Sequence, residues 1–265
     1  MVTDPESRHP LRPFLKNWLW EHGRIGYRYL DCGDGQVKFD EGKKARCAAE
    51  KHCYVSLAKD ADADAHAAGP AVHEAGLARF LHAAQLGRPE VAGTVLEVQR
   101  ATQDCIELGL VCAYQADARA AQARYSAEPM FDDEIRAAVI ADIRRKYMGL
   151  REQFTLFDFT VFHGLPTPLL LCEAPFIDWR LRARPALPFV SLPLGPYSLL
   201  VGAPSDKTIR VAPVAWKTVV AMGPLKDHNR HIVDSARAWL VATSDEQLTA
   251  LQPRFAPPKA DAPAG

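Results

Sequence analysis

The most hydrophobic part of the chain is residues 168–204, where short apolar runs are separated by prolines. A proline removes a backbone hydrogen-bond donor and fixes φ, so it ends a helix but can bound a strand. The apolar runs 169–171, 189–194 and 197–201 are therefore predicted to be buried strands. We expect this region to form the core of a sheet that carries the acidic residue Glu173.

A β-hairpin is predicted near the N-terminus. Residues 24–30 alternate between apolar and polar side chains, a Gly-Asp-Gly turn follows at 33–35, and a second strand resumes at 36–39. Residues 53–57 are assigned to a third strand.

The central section is predicted to be helical. Residues 70–126 form two helices that are broken at residues 87–89, Gly-Arg-Pro, because proline cannot continue the first helix. The second of these helices carries a buried stripe that includes Cys105 and Cys112. Residues 132–150 form a further amphipathic helix, and its basic residues are interpreted as a solvated face.

The C-terminal section mixes strand and helix patterns. Alternation over residues 154–162 predicts a strand, and residues 208–214 and 216–222 are two more β-like runs. Residues 229–243 have helical periodicity. The tail 256–265 is rich in proline and alanine and is expected to be disordered.

These elements predict an α+β fold. A chain of 265 residues is long enough to bury a large core, and we assign residues 1–255 to a single domain. The predicted order is an N-terminal β-hairpin, a central helical section, and a C-terminal mixed or antiparallel sheet with a packed helix.

Charge and cysteine content narrow the classes of partner. Lys and Arg number 32 and Asp and Glu number 32, so a net charge of zero gives no reason to expect broad nucleic-acid binding. No apolar run approaches the roughly 18 residues that span a bilayer, and the first residues lack an apolar signal segment. The six cysteines do not make a disulfide scaffold. We therefore expect a soluble, cytoplasmic protein with reduced thiols and no membrane partner.

A zinc site is one chemical possibility, because Cys32, Cys47, His52 and Cys53 lie near one another and are ligand types that zinc takes. Their spacing lacks the paired Cys-x2-Cys or His-x3-His pattern that makes such a site specific, so metal binding there stays open. The polar loop 59–69 has Asp60, Asp62 and Asp64 at calcium-loop spacing. The glycine and glutamate of an EF-hand do not follow, and a solvated loop is favoured.

A cysteine nucleophile is a second possibility, with Cys172 beside Glu173 and His163 upstream. Neighbouring residues of a strand point to opposite faces, so Cys172 and Glu173 would not line one pocket. A buried cysteine that packs as a small hydrophobe is therefore favoured. The chain has no GxSxG, HExxH, phosphate-loop or dinucleotide-binding motif.

The polar cluster at residues 226–231 is a third possibility. Asp227 or Asn229 could cap the following helix through a side-chain oxygen. Alternatively, His228 or His231 could face a cleft and transfer protons or bind phosphate near the helix N-terminus.

Four segments together resemble the bacterial family called domain of unknown function 4238. They are the N-terminal His9-Pro10-Leu11-Arg12-Pro13-Phe14, the hairpin with the following Cys47 to Tyr54 segment, Leu170-Leu171-Cys172-Glu173-Ala174-Pro175 with Leu192-Pro193-Leu194-Gly195-Pro196, and Asn229 followed by Ala236-Arg237-Ala238-Trp239. The resemblance implies an α+β bacterial protein whose polar landmarks His9, Glu173 and Asn229 converge on one cleft. It implies no particular reaction.

We therefore expect a protein that binds a small ligand or a protein partner in a cleft, with Lys16, Asn229 and Arg237 as ligand-binding residues. The alternative is a metal-dependent hydrolase or nuclease. In that case Glu173 would serve as ligand or general base, His9 or His228 as the second member, and Lys16 would hold a phosphate. The sequence does not identify a cofactor, which stays unknown.

Overall fold

In a computed structural model, the chain folds as helices packed on a five-stranded sheet, together with a second, four-stranded sheet. The structure describes residues 11, 14, 28–31, 39–41, 74–126, 133–182, 187–205, 213–219, 227–236 and 239–251. The predicted α+β class is confirmed over these residues. None of the described helices is long and apolar enough to cross a membrane.

The described chain begins with two strands and three long helices and continues with strands and three short helices. The helices are α1 (Glu74–Leu86), α2 (Val95–Ser126), α3 (Asp133–Phe154), α4 (Trp179–Arg182), α5 (His228–Ser235) and α6 (Asp245–Thr249), with a 3-10 turn at Pro89–Val91. The strands are β1 (Arg28–Asp31), β2 (Phe39–Glu41), β3 (Phe157–His163), β4 (Leu171–Cys172), β5 (Ile177–Asp178), β6 (Val190–Gly195), β7 (Ser198–Pro204), β8 (Ala215–Thr218) and β9 (Trp239–Ala242).

The five-stranded sheet has the order β5-β6-β7-β3-β8 and is mixed. Its neighbours are antiparallel except for β3 and β8, which run parallel. Pro193 lies inside β6 rather than at the end of the strand. Pro193 pairs with Leu199 of β7, whereas the pairing of β6 with β5 covers only Val190 and Ser191. At this position β6 is thus paired on one side, and a proline is tolerated in a strand with an open edge.

The four-stranded sheet has the order β2-β1-β9-β4, and every pair in it is antiparallel. Strands β1 and β2 overlap the predicted hairpin at residues 28–30 and at Phe39, and they pair from Arg28 with Glu41 to Leu30 with Phe39. The predicted turn at 33–35 lies outside the described residues. Strand β9 lies between β1 and β4, so segments far apart in the sequence are neighbours in this sheet.

One predicted helix is wrong in its second half. Residues 229–243 were expected to be helical throughout, but helix α5 ends at Ser235 and residues 239–242 form the buried strand β9. Ala236 adopts extended backbone angles and ends the helix. The four apolar residues of β9 are all buried. The periodicity of such a short apolar run is the same for a buried strand and a buried helix, so the sequence pattern does not decide between them.

Helix α1 ends where the sequence predicts a break between the first two helices. Gly87 has a φ of 65°, and the N–H groups of Gly87 and Arg88 donate to the carbonyl oxygens of Ala84 and Ala83. This is the Schellman arrangement, which favours glycine at the left-handed position. Pro89 then opens the 3-10 turn.

Helix α2 starts with a capping box. The backbone N–H of Thr94 donates to Oε2 of Glu97 at 2.7 Å, and the N–H of Glu97 donates back to Oγ1 of Thr94 at 3.3 Å. These bonds, with Arg79 nearby, hold the pKa of the Glu97 carboxyl below its usual value.

Two hydrophobic clusters hold the described elements together. In the first, α1 and α2 pack on the five-stranded sheet, with Phe80, Leu81 and Cys105 fully buried or nearly so. The second surrounds β4, β9 and α5, and it buries Cys172 and Trp179. The predicted sheet core at residues 168–204 contributes to both clusters.

Other predicted elements differ at their ends or lie outside the described residues. Helix α3 continues to Phe154, so the strand expected from residue 154 begins at Phe157. The predicted strand at 53–57, the loop 59–69, most of the run 208–214 and the tail 256–265 lie outside the described residues. The single-domain assignment stays a prediction.

Candidate functional site

Glu173 lies in the interior of the protein, immediately after β4. The residue is 5% exposed, and its Oε2 accepts a hydrogen bond from the backbone N–H of Trp239 at 3.4 Å. Glu173 therefore links the end of β4 to the start of β9, across the pair Cys172 and Leu240. In this contact the Glu173 carboxylate stabilises the backbone at the start of β9. The catalytic role of Glu173 stays a prediction.

Asn229 connects helix α5 to the backbone before β4. Its Nδ2 donates to the carbonyl oxygen of Pro168 at 2.9 Å, and its Oδ1 accepts from the N–H of Leu170 at 2.9 Å. Gln247 of α6 donates to the same Pro168 oxygen at 3.2 Å. Both ends of the Asn229 amide are thus used to position residues 168–170.

The predicted capping of α5 by a side chain is wrong for both candidates. Asp227 occupies the N-cap position, but its side chain makes no capping hydrogen bond. It lies 3.7 Å from the guanidinium of Arg230 instead. Asn229 lies inside the helix and bonds elsewhere.

His228 is fully buried, with an exposed fraction of 0%. Neither ring nitrogen has a hydrogen-bond partner among the described residues. The Trp179 ring lies 6.2 Å from the ring of His228 and 4.8 Å from that of His231. Burial, and next the neighbouring His231, lower the pKa of His228 to about 3. His228 is thus a neutral, packed side chain at neutral pH.

The remaining predicted site residues cannot be placed beside Glu173. His9, Lys16 and Arg237 lie outside the described residues, as do the possible zinc ligands Cys32, Cys47, His52 and Cys53. Whether they approach Glu173 or Asn229 stays a prediction. Within the described part of the chain, no three His, Cys, Asp or Glu side chains are grouped in a way that could hold a metal ion.

The possible Cys-His pair is divided between the two sheets. Cys172 is fully buried in β4, as expected for a cysteine that packs as a small hydrophobe. His163 ends β3 in the other sheet, where its Nε2 lies 3.5 Å from Oγ1 of Thr218. Cys105 and Cys112 are also buried and are not joined in a disulfide with one another, and burial raises the pKa of Cys105 well above its usual value.

A cleft lies between α2, α3 and the buried segment 174–178. Its volume is about 190 Å³. Its lining residues are Ala113, Ala116, Asp117, Ala120, Lys146, Tyr147, Leu150, Ala174, Phe176, Asp178, Leu181 and Ser235.

The cleft exists because one face of α2 carries small side chains. At Gly109 the helix approaches the sheet so closely that an added Cβ would lie 3.2 Å from Leu192 and 3.4 Å from Phe176. Farther along, Ala113, Ala116 and Ala120 continue this face at helical spacing. Their short side chains leave the gap between α2 and α3 unfilled.

Polar groups lie around this apolar floor. The Tyr147 hydroxyl donates to Oδ2 of Asp117 at 2.6 Å, and Nζ of Lys146 lies 5.4 Å from the centroid of the Tyr147 ring. In the segment 174–178, both oxygens of Asp178 accept from the guanidinium of Arg180, at 2.9 and 2.7 Å.

The charges of the cleft are not all compensated. The hydrogen bonds with Asp178 raise the pKa of Arg180, and the two charges neutralise each other. In contrast, neither Asp117 nor Lys146 forms an ion pair with any residue that the structure describes. Among the described residues, one negative and one positive group of the cleft are therefore left without an ionic partner.

A second, more open groove lies between α2, α3 and β3, with a volume of about 320 Å³. Its central charged residues, Glu107 and Arg151, pair with each other at 2.7 Å. Met148 and Phe159 contribute apolar surface. These two charges neutralise each other, whereas Asp117 and Lys146 have no ionic partner among the described residues, and we therefore take the cleft as the better candidate site.

Sequence reasoning did not predict the cleft. Lys146 is one of the basic residues of the helix at 132–150 that are interpreted as a solvated face, and the sequence patterns do not single out Asp117. The available signal was the spacing of Ala113, Ala116 and Ala120 around Asp117. That spacing becomes informative only once α3 is known to pack opposite.

Comparisons with known proteins name no relative. No family model matches the chain, and no curated protein or solved structure matches it. The resemblance to domain of unknown function 4238 stays a prediction.

Proposed function

We propose that this protein binds a small molecule in the cleft between α2, α3 and residues 174–178. The observation that carries the proposal is the combination of an alanine-lined floor with polar groups that have no ionic partner among the described residues. Ligand sites in proteins typically combine an apolar lining with a few placed polar groups.

The walls of the cleft are suited to a preformed site. Two of them are long helices, α2 and α3, which are joined by the bonds from Tyr147 to Asp117 and from Arg151 to Glu107. The third wall, residues 174–178, is buried throughout. Sites built on rigid elements hold their geometry more accurately than sites on loops.

Binding is favoured over catalysis because of how the predicted catalytic residues are used. Glu173 accepts a backbone hydrogen bond, and His228 is buried away from solvent against aromatic neighbours. A metal-dependent hydrolase would need several ligands around one point, and the described residues do not supply them.

The test is a fragment screen by thermal melting, comparing the wild-type chain with Ala116→Met. Methionine keeps the helix propensity of α2 high and fills the cleft. The matched control is Ala141→Met, which makes the same change on an exposed position of α3. A ligand at a hundredfold excess over its Kd stabilises the folded state by about 2.7 kcal/mol.

We expect fragments to raise the Tm of the wild-type protein and of Ala141→Met but not that of Ala116→Met. Fragments that stabilise all three proteins equally would locate binding elsewhere and overturn the proposal. A screen in which no fragment changes the Tm of the wild-type protein would overturn it as well.

A further inference from the structure

We infer that the ligand of this cleft is a small zwitterion, namely a free amino acid with an apolar side chain. The inference rests on the proposed function and adds the chemical class of the ligand. The ammonium group would meet Asp117, the carboxylate would meet Lys146, and the side chain would lie on the alanine-lined floor.

Asp117 is the acidic partner that remains available. Tyr147 occupies its Oδ2, and a carboxylate can accept further hydrogen bonds at both oxygens. The other acidic group of the cleft, Asp178, is already paired with Arg180. An ammonium group donates up to three hydrogen bonds and would find its acceptor at Asp117.

Lys146 is the corresponding basic partner. It is exposed, and within the described part of the chain its Nζ lies 5.4 Å from the centroid of the Tyr147 ring. Tyr147 therefore lies between the two charges, with its hydroxyl on Asp117 and its ring beside Lys146. Asp117 belongs to α2 and Lys146 to α3, so each of these two walls of the cleft carries one of the charges.

The balance of charge selects among ligand classes. A simple cation would meet Asp117 but lie beside the like charge of Lys146, and a simple anion would meet Lys146 but lie beside Asp117. A molecule with both charges pairs with each residue and meets no like charge. Complementary charges on the ligand and on the site make binding specific, because a ligand of the wrong charge meets a like charge.

The size of the cleft limits the ligand. Pockets for drug-sized ligands run from roughly 300 to 1,000 Å³, and this cleft has about 190 Å³. That volume is roughly what six water molecules occupy in liquid water. The apolar surface of Ala113, Ala116 and Phe176 would contact the side chain of the ligand.

The first experiment is calorimetric titration of the wild-type chain with alanine, valine, leucine, methionine and phenylalanine. Leucine has two matched probes, isoamylamine, which lacks the carboxylate, and isocaproate, which lacks the ammonium group. We expect at least one of the amino acids to bind. If leucine binds, each matched probe should bind about tenfold more weakly, because each loses a charge-assisted contact. For another amino acid, its own decarboxylated and deaminated analogues replace these probes.

The second experiment separates the two charges by mutation. Asp117→Asn keeps an acceptor for the Tyr147 hydroxyl, and Lys146→Gln keeps most of the side-chain length. The matched controls are Asp142→Asn and Arg145→Gln, an exposed ion pair on α3 that does not line the cleft. We expect each cleft variant to weaken amino-acid binding by about tenfold, and each control to bind as the wild type does.

The outcomes distinguish this inference from the proposed function. If isoamylamine or isocaproate binds as tightly as leucine, and Ala116→Met still abolishes binding, the zwitterion is wrong and the cleft remains a ligand site. If no amino acid binds while fragments do, the inference fails alone. If Ala116→Met binds the amino acid as the wild type does, both are overturned.

Discussion

Asn229 donates its side-chain N–H to the carbonyl oxygen of Pro168, and the 2.9 Å bond joins α5 to the backbone before β4. The same side chain accepts from the N–H of Leu170, a residue that is almost fully buried. A single amide thus satisfies two backbone groups in a segment without a regular strand partner. Asn229, which the sequence analysis predicts as a polar landmark, therefore holds the backbone of residues 168–170 in place.

Replacement of Asn229 by alanine should destabilise the protein by about 2 to 3 kcal/mol, because two hydrogen bonds are lost and a buried N–H is left unpaired. Chemical denaturation measures this as a lower midpoint. The control is Arg230→Ala, whose exposed ion pair should contribute less than about 1 kcal/mol. Equal midpoints for the two variants would contradict the structural role.

The two glycines Gly87 and Gly149 should respond to alanine with opposite signs. At Gly87 the φ of 65° disfavours alanine, and an added Cβ would lie 2.5 Å from Nδ1 of His163. We expect a loss of at least about 1 kcal/mol. Gly149 lies inside α3 with nothing within 4 Å of an added Cβ. Alanine there should stabilise by up to about 1 kcal/mol. Thermal melting measures the change in Tm of each variant. Changes of the same sign in the two variants would contradict this account.

His228 should make the stability of the protein depend on pH. Its pKa is lowered in the folded state from 6.5 to about 3, so between these values the unfolded state binds the additional proton. The free energy of unfolding is therefore highest above pH 6.5 and falls as the pH is lowered towards 3. The slope contributed by one such group approaches about 1.4 kcal/mol per pH unit.

His228→Leu should flatten this dependence, and it should not lower stability at neutral pH because it removes two unpaired buried nitrogens. Denaturation at several pH values between 7 and 4 measures the slope. His82→Leu removes an exposed imidazole of α1 and should keep the slope of the wild type. An unchanged slope in His228→Leu would show that the buried ring does not control acid stability.

Local chemistry explains which parts of the fold were predictable. Gly87 and Pro89 act through their own backbone restrictions, so the break after α1 could be predicted from the sequence. Strand β9 could not, because its apolar run fits a helix or a strand and the choice depends on pairing with distant segments. The shortening of α5 follows from that pairing.

The candidate site was less predictable than the fold. Glu173 was singled out as the acidic residue of an apolar segment and Asn229 as a member of the polar cluster 226–231, and the structure shows backbone hydrogen bonds for both. Asp117 and Lys146 looked like ordinary surface charges. Their position beside Tyr147 depends on how α2 packs against α3, and sequence spacing within one helix carries no information about a neighbouring helix.

The central position of β9 has a consequence for the synthesis of the chain. Its residues, up to Ala242, lie between β1, which ends at Asp31, and β4, which ends at Cys172. The ribosome must therefore have made more than nine-tenths of the 265 residues before this sheet can close. Contacts of such high contact order form slowly, and until then β1 and β4 each have an unpaired edge in the nascent chain.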